Sequence, residues 1–183
     1  MLKLVIFAVV TGGLAYVSRA SLRAPHSHGF YRFFAWESIL ALILLNVGRW
    51  FHDPFAIHQV ISWLLLIASA FLVLHGVRLL RTVGKPDSRR EQDVPLLWIE
   101  KTTALVTVGA FKYIRHPIYS SLLFLAWGVF FKNLSWPGGV LVLAATIFLT
   151  ATAKVEEAEN LRFFGVAYRD YMKQTKMFVP FLF

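Results

Sequence analysis

Two polar clusters carry the groups capable of chemistry. The first is the run Phe111-Lys112-Tyr113-Ile114-Arg115-His116-Pro117-Ile118-Tyr119. Pro117 suits the first turn of a helix, where its missing N–H would be an orphan in any case. Arg115 and His116 are therefore held at a helix start, beside free backbone N–H groups and the positive end of the helix dipole, a place that receives an anionic or polar ligand. The second cluster is Lys154-Val155-Glu156-Glu157-Ala158-Glu159-Asn160. His116 is a candidate general base. Glu156 and Glu157 are adjacent, so on a helix one is expected to face a site and the other solvent; Glu156 shares its face with Asn160, four residues on. A carboxylate so placed suits ribose hydroxyls or an ammonium group, and Phe111, Tyr113 and Tyr119 suit an adenine ring or a cation. A purely structural alternative stands beside this one: Arg115 and Glu156 as a salt bridge between helix ends, with the aromatics as an interfacial belt.

The elements that must position these clusters are hydrophobic helices. Apolar residues make up 57% of the 183-residue chain and charged residues 16%, a balance that with long apolar runs points to membrane spans. Five are expected: Leu2 to Val17, Phe33 to Val47, Ile57 to Leu80, Pro117 to Phe131, and Val140 to Ala153 starting near Leu134. The first run is short, and a signal peptide is its rival; Arg19 and Arg23 behind it reverse a signal peptide's charge order, so a retained helix is expected. The turn with Asn133, Ser135, Pro137 and Gly138-Gly139 makes the last two an antiparallel hairpin. The fifth helix should run on past the membrane through the acidic cluster and stop at Gly165. The aromatic and basic tail, Tyr168 to Phe183, suits an interfacial segment.

Other polar residues read more plainly. His26 and His28 lack a third ligand nearby, so they belong to a solvated loop rather than a metal site. Glu37, near a span end, reaches headgroup water. His75 and Arg78 share a helical face and either meet a polar cavity or reach interfacial water. The segment from Arg81 to Arg115 opens as loop at Gly84 to Arg90, and the apolar stretch Val94 to Ile99 is expected to dip into the interface.

The net charge of +9 is read as topology and attraction to anionic lipid, with no nucleic-acid partner. With five spans, all but Lys3, Arg49 and Lys132 of the nineteen lysines and arginines fall on one side. That puts the N-terminus outside and the C-terminus in the cytoplasm, the cell membrane in a bacterium. Both polar clusters then lie at the cytoplasmic face. The absence of cysteine excludes disulfides, thiolate metal sites and cysteine nucleophiles.

The stretch Leu105-Val106-Thr107-Val108-Gly109-Ala110-Phe111 leading into Arg115-His116-Pro117-Ile118-Tyr119, followed by Glu156-Glu157, Leu161, Phe164-Gly165, Tyr168, Tyr171 and Pro180, resembles the isoprenylcysteine carboxyl methyltransferases and their phospholipid methyltransferase relatives. The match covers about the last 80 residues of the sequence; the first 100 match only in hydropathy. The resemblance implies a single all-α integral membrane domain, 1–183, with a cytoplasmic cofactor pocket formed by the C-terminal half, 101–183, behind N-terminal helices and loop, 1–100. It implies S-adenosylmethionine as cofactor, no metal, and Thr103, Ala104, Leu105, Val106, Phe111, His116, Pro117, Ile118, Tyr119 and Glu156 around that cofactor. Arg115, Glu157 and Lys154 would be catalytic, with Arg115 or Lys154 orienting a carboxylate. The implied reaction is methyl transfer to a lipophilic small molecule or lipid reached through the membrane. Carboxyl O-methylation of an isoprenylcysteine-like or other lipophilic acid comes first, N-methylation of a phospholipid amine second, and a non-catalytic membrane subunit retaining the fold third. Some relatives place an Arg just before the acidic pair and another before the final proline; here Lys154 is the only cation near the first position, and Met177 occupies the second beside Lys176.

Overall fold

The computed structural model describes residues 1–87, 97 and 100–181. Among these it is helical, with α1 (Leu2–Val17), α2 (Arg19–Leu22), α3 (His28–Asn46), α4 (Ile57–Thr82), α5 (Pro117–Phe130), α6 (Trp136–Phe164) and α7 (Val166–Gln174), plus 3-10 turns at Val47–Arg49 and Gly109–Lys112. Two isolated bridges, Pro86 with Thr102 and Ile114 with Lys176, are the extended pairings among the described residues. Apart from Leu97, the Val94 to Ile99 stretch expected to dip into the interface lies outside the described residues, as do Ser88 to Arg90 of the loop before it.

Among the described residues, three helices are long and apolar enough to cross a membrane: His28–Arg49, Ile57–Thr82 and Trp136–Phe164, with mean hydropathies of 1.4, 2.3 and 1.8. α1 and α5 are apolar but shorter. At 14 residues and 1.5 Å per residue, α5 spans only about 21 Å, less than a hydrocarbon core of roughly 30 Å. The outward faces of α4 (Leu64, Ile67, Phe71, Leu74) and α6 (Val140, Leu143, Ile147) expose large apolar side chains, as a lipid-facing helix does.

Small residues and short hydroxyls set the packing. On α4, Ser62, Ser69 and Gly76 recur every seventh position and are buried. Ser62 Oγ donates to Gly128 O at 2.6 Å and Ser69 Oγ to Ser121 O at 2.7 Å, while Gly76 faces Pro117 and Ile118. Without a hydrophobic force between helices in lipid, such close backbone approach and cross-helix hydrogen bonds, worth about 0.6 kcal/mol each, hold the pair. α3 packs on α6 in the same manner: Ala35, Ile39 and Leu42 meet Val142, Ala145, Leu149 and Ala153. Asn46 of α3 donates to Val129 O of α5 at 2.9 Å. α6 starts behind Ser135, whose hydroxyl accepts from Gly138 N at 3.3 Å. It runs unbroken through the acidic cluster to Gly165, whose φ of +61° turns the chain into α7.

Several expectations change. α3 begins at His28, a turn earlier than Phe33, because His28 is buried against carboxylates rather than solvated. Glu37 accepts from Thr11 Oγ1 of α1 at 2.6 Å and so binds a neighbouring helix instead of headgroup water. Lys132, placed by sequence in an open turn, is 2% exposed. His75 meets a polar partner of its own, accepting at Nε2 from Ala110 N at 3.3 Å, and stacks on Phe71.

Candidate functional site

A cavity of about 250 Å³ lies where α3, α5, α6 and α7 converge. The approach to it is built by Gly109, whose φ of +59° turns the chain under His75 and into the 3-10 turn that buries Phe111. Pro117 opens α5 at its first turn. The chain beyond α7 then runs parallel to Ile114, so that Arg115 N donates to Lys176 O at 2.8 Å, His116 N to Met177 O at 3.2 Å, and Lys176 N to Tyr113 O at 3.1 Å. Ser120 Oγ adds a bond to Phe178 O at 2.8 Å. The tail thereby takes the backbone N–H groups of Arg115 and His116, just ahead of α5.

Each charged group has a partner. Arg115 donates from Nε to Glu157 Oε1 at 2.6 Å and from Nη1 to the carbonyls of Thr175 and Met172. His116 Nε2 lies 3.3 Å from the same Glu157 oxygen, and its ring stacks on Tyr119 at 5.4 Å. Glu157 therefore faces inward, not solvent, and it is Glu157 rather than Glu156 that pairs with Arg115. The two acids take different partners because they leave α6 in different directions. Glu156 accepts from the Tyr119 hydroxyl and, at 3.5 Å, from Asn160 Nδ2, and its Oε1 is 4.0 Å from His116 Nδ1.

Of the residues expected around a cofactor, Ala104, Leu105, Val106, Phe111, His116, Pro117, Ile118, Tyr119 and Glu156 all line the cavity, as does Arg115. Thr103 is exposed, with its hydroxyl on Lys85 O. Lys154 is exposed on α6 and lies outside the lining. From α7 come Tyr168 and Tyr171, both buried phenols. Burial pushes both well above the ordinary tyrosine range, so they stay protonated and donate; Tyr171 does so to Phe111 O at 2.6 Å.

A second polar group comes from α3 and was missed by sequence. Arg32, 2% exposed, binds Glu100 through Nη1 and lies 5.0 Å over the Trp36 ring; all three line the cavity. Arg32 Nε is buried and finds no partner among the described residues. Behind it His28, fully buried, sits between Glu159 at 2.6 Å and Glu100 at 3.3 Å. Arg32 and Trp36 are four apart on one face, a spacing that flags a polar stripe once the helix is known to begin at His28.

Val77, Leu80, Leu97, Leu122 and Phe164 add apolar lining, and Thr102 and Asn160 complete it. The donor set fits an S-adenosyl sulfonium. Arg115 is committed to Glu157, while Glu156 accepts from Tyr119 and Asn160 with His116 Nδ1 at 4.0 Å, and a carboxylate so held, with aromatic rings at hand, suits a cation or a diol.

The family model for phospholipid methyltransferase matches residues 57–167. A methanethiol S-methyltransferase of Pseudomonas deceptionensis is 26% identical over 128 residues, covering 67% of this chain and 43% of that protein. Methanethiol S-methyltransferase 1 of Bradyrhizobium diazoefficiens is 27% identical over 127 residues, covering 65% of this chain and 39% of that protein. The match thus spans about two fifths of the length of these curated relatives. No solved structure matches the chain.

Proposed function

The chain belongs to the phospholipid methyltransferase family, and from that premise we propose that it transfers a methyl group from S-adenosylmethionine to a lipophilic acceptor in the cavity between α3, α5 and α6. The observation that carries this reading is Glu156: a carboxylate in a largely apolar cavity, held by Tyr119 and Asn160, with His116 Nδ1 4.0 Å away.

Bound there, S-adenosylmethionine supplies an electrophilic methyl on a sulfonium. Glu156 and Asn160 hold its polar part, Phe111 and Tyr168 supply ring faces, and Ala104, Leu105 and Val106 close the wall. Apolar residues exclude water, so alignment and desolvation do most of the work. α7 and the tail hold His116 and Arg115 in place and leave them little freedom to move.

Carboxyl O-methylation was the first expectation, and it rested on Arg115 or Lys154 being available to orient an acid. Arg115 is bound to Glu157 and two carbonyls, and Lys154 is outside the cavity. An acceptor that is not an anion in its resting form, a thiol or a protonated amine, therefore fits better. Both relatives named above are S-methyltransferases. Such an acceptor must lose a proton, and Glu156 or His116 is placed to take it. One observation keeps the lipophilic acid as a second reading: the unpartnered Nε of Arg32.

The test is incubation of the membrane-embedded protein with methyl-labelled S-adenosylmethionine and, separately, a lipophilic thiol, phosphatidylethanolamine and a prenylated cysteine acid. Label in a thioether or a stable headgroup supports the first reading, and base-labile volatile label the second. Absence of S-adenosylhomocysteine binding by calorimetry would end both and favour the non-catalytic subunit.

A further inference from the structure

At the far end of α5 from the methyl-transfer cavity, about 21 Å along the helix at 1.5 Å per residue, the loops α3–α4 and α5–α6 enclose a second cavity of about 230 Å³. Its polar lining is Arg49, His52, His58, Gln59, Lys132 and Asn133, with no carboxylate. Asp53 lies outside the lining and is bound to His52 Nδ1 at 2.8 Å, both side chains being largely exposed.

Gln59, fully buried, organises the cavity. Its Nε2 donates to Lys132 O at 3.1 Å and Arg49 O at 3.4 Å, tying the two loops together. Its Oε1 accepts from Lys132 Nζ at 3.1 Å. Lys132 Nζ also lies 3.4 Å from the centroid of the Trp63 ring. The Trp50 ring lies farther off, at 5.7 Å. An ammonium has three donors; one oxygen and two ring faces give it a single conventional acceptor. A lysine at 2% exposure without a carboxylate is an uncommon arrangement. Burial lowers its pKa from the ordinary lysine value, a cost that a bound anion offsets. Of the three lysines and arginines that the charge asymmetry leaves on this side, two, Arg49 and Lys132, meet here.

The loops and helix starts that supply the lining also carry exposed apolar side chains: Phe51, Phe55 at 92%, Ile57, Trp136 at 88%, and Leu134, which lines the cavity itself. Side chains of this kind belong at the depth where headgroups meet acyl chains. We propose that this cavity binds the phosphate of an anionic phospholipid on the membrane face opposite the methyl-transfer cavity, through Lys132 and Arg49 with His58 beside them. The exposed apolar side chains favour a lipid over free phosphate, which would gain nothing from Phe55 or Trp136. This site is independent of the catalytic reading and stands or falls without it.

The test is native mass spectrometry of the full chain titrated with phosphatidylglycerol or phosphatidylcholine, for the wild type and the Lys132→Gln and Arg49→Gln variants. Phosphatidylglycerol should bind in preference to phosphatidylcholine, and each variant should lose about tenfold in phosphatidylglycerol affinity, the size of one charge-assisted hydrogen bond. S-adenosylhomocysteine binding should be unchanged in both. Should Lys132→Gln fail to fold, Arg49→Gln decides alone, because its side chain is exposed. Equal binding of the two lipids, or wild-type affinity in the variants, overturns the proposal. So does inorganic phosphate in excess displacing the lipid completely from a wild type that shows no preference for acylated over deacylated glycerophosphate.

Discussion

Glu156 and Glu157 show how one residue of register separates two tasks. Glu156 looks into the cavity, so Glu156→Gln should weaken S-adenosylhomocysteine binding about tenfold by calorimetry, the loss expected for one hydrogen bond to a charge. Glu157 instead neutralises a guanidinium, both side chains being about one-tenth exposed. Glu157→Gln leaves Arg115 buried and unpaired, at a cost of roughly 3 kcal/mol. The expected result is a clear fall in melting temperature in detergent, and a melting temperature equal to wild type would contradict this division of labour. The pair was visible in sequence, as were the residues from Ala104 to Tyr119 along the cavity wall. The sequence offered an Arg115 pair with Glu156 only as the structural alternative; the pair forms with Glu157 instead, because which of two adjacent acids meets Arg115 depends on the rotation of α6. Lys154 was singled out as the cation nearest the position where some relatives carry an Arg, and it is exposed on α6 outside the cavity lining.

At the scale of elements, the 3-10 turn and α7 work as a pair. Gly109 has a φ of +59°, and a Cβ there would sit 2.5 Å from His75 Nε2. Gly109→Ala should therefore destabilise by about 1–3 kcal/mol and shift Phe111 out of the cavity wall, read as loss of both melting temperature and donor affinity. Tyr171→Phe removes the hydroxyl, with its bond to Phe111 O and its longer contact with Ile114 O, and should cost about 1 kcal/mol without abolishing donor binding. The helices themselves were legible because hydropathy alone delimits them: Ile57 and Pro117 begin elements where the sequence said they would. The start of α3 was not legible. His28 and Arg32 look like loop residues until their partners, Glu100 and Glu159, are known, and those lie 72 and 131 residues away.

For the molecule as a whole, two polar cavities sit at opposite ends of a short helix in an otherwise apolar bundle. The charge asymmetry supports the proposal that the candidate methyl-transfer cavity faces the cytoplasm and the basic one the outside. Because the chain has no cysteine, single substitutions report this directly. Lys154→Cys and Phe55→Cys, both at exposed positions, should be labelled from opposite faces of intact cells by an impermeant maleimide, Phe55→Cys from outside. Labelling of both from one face would refute the arrangement.

The tail's grip on Tyr113, Arg115 and His116 has a temporal meaning. Thr175 is 60 residues downstream of Arg115, so the hold on Arg115 comes from a segment synthesised after α5 and α6. The donor site therefore cannot exist on a nascent chain halted after its last long helix. Fusions or deletions that tether or remove residues 175–178 should yield protein that inserts normally yet never acquires affinity for the nucleoside.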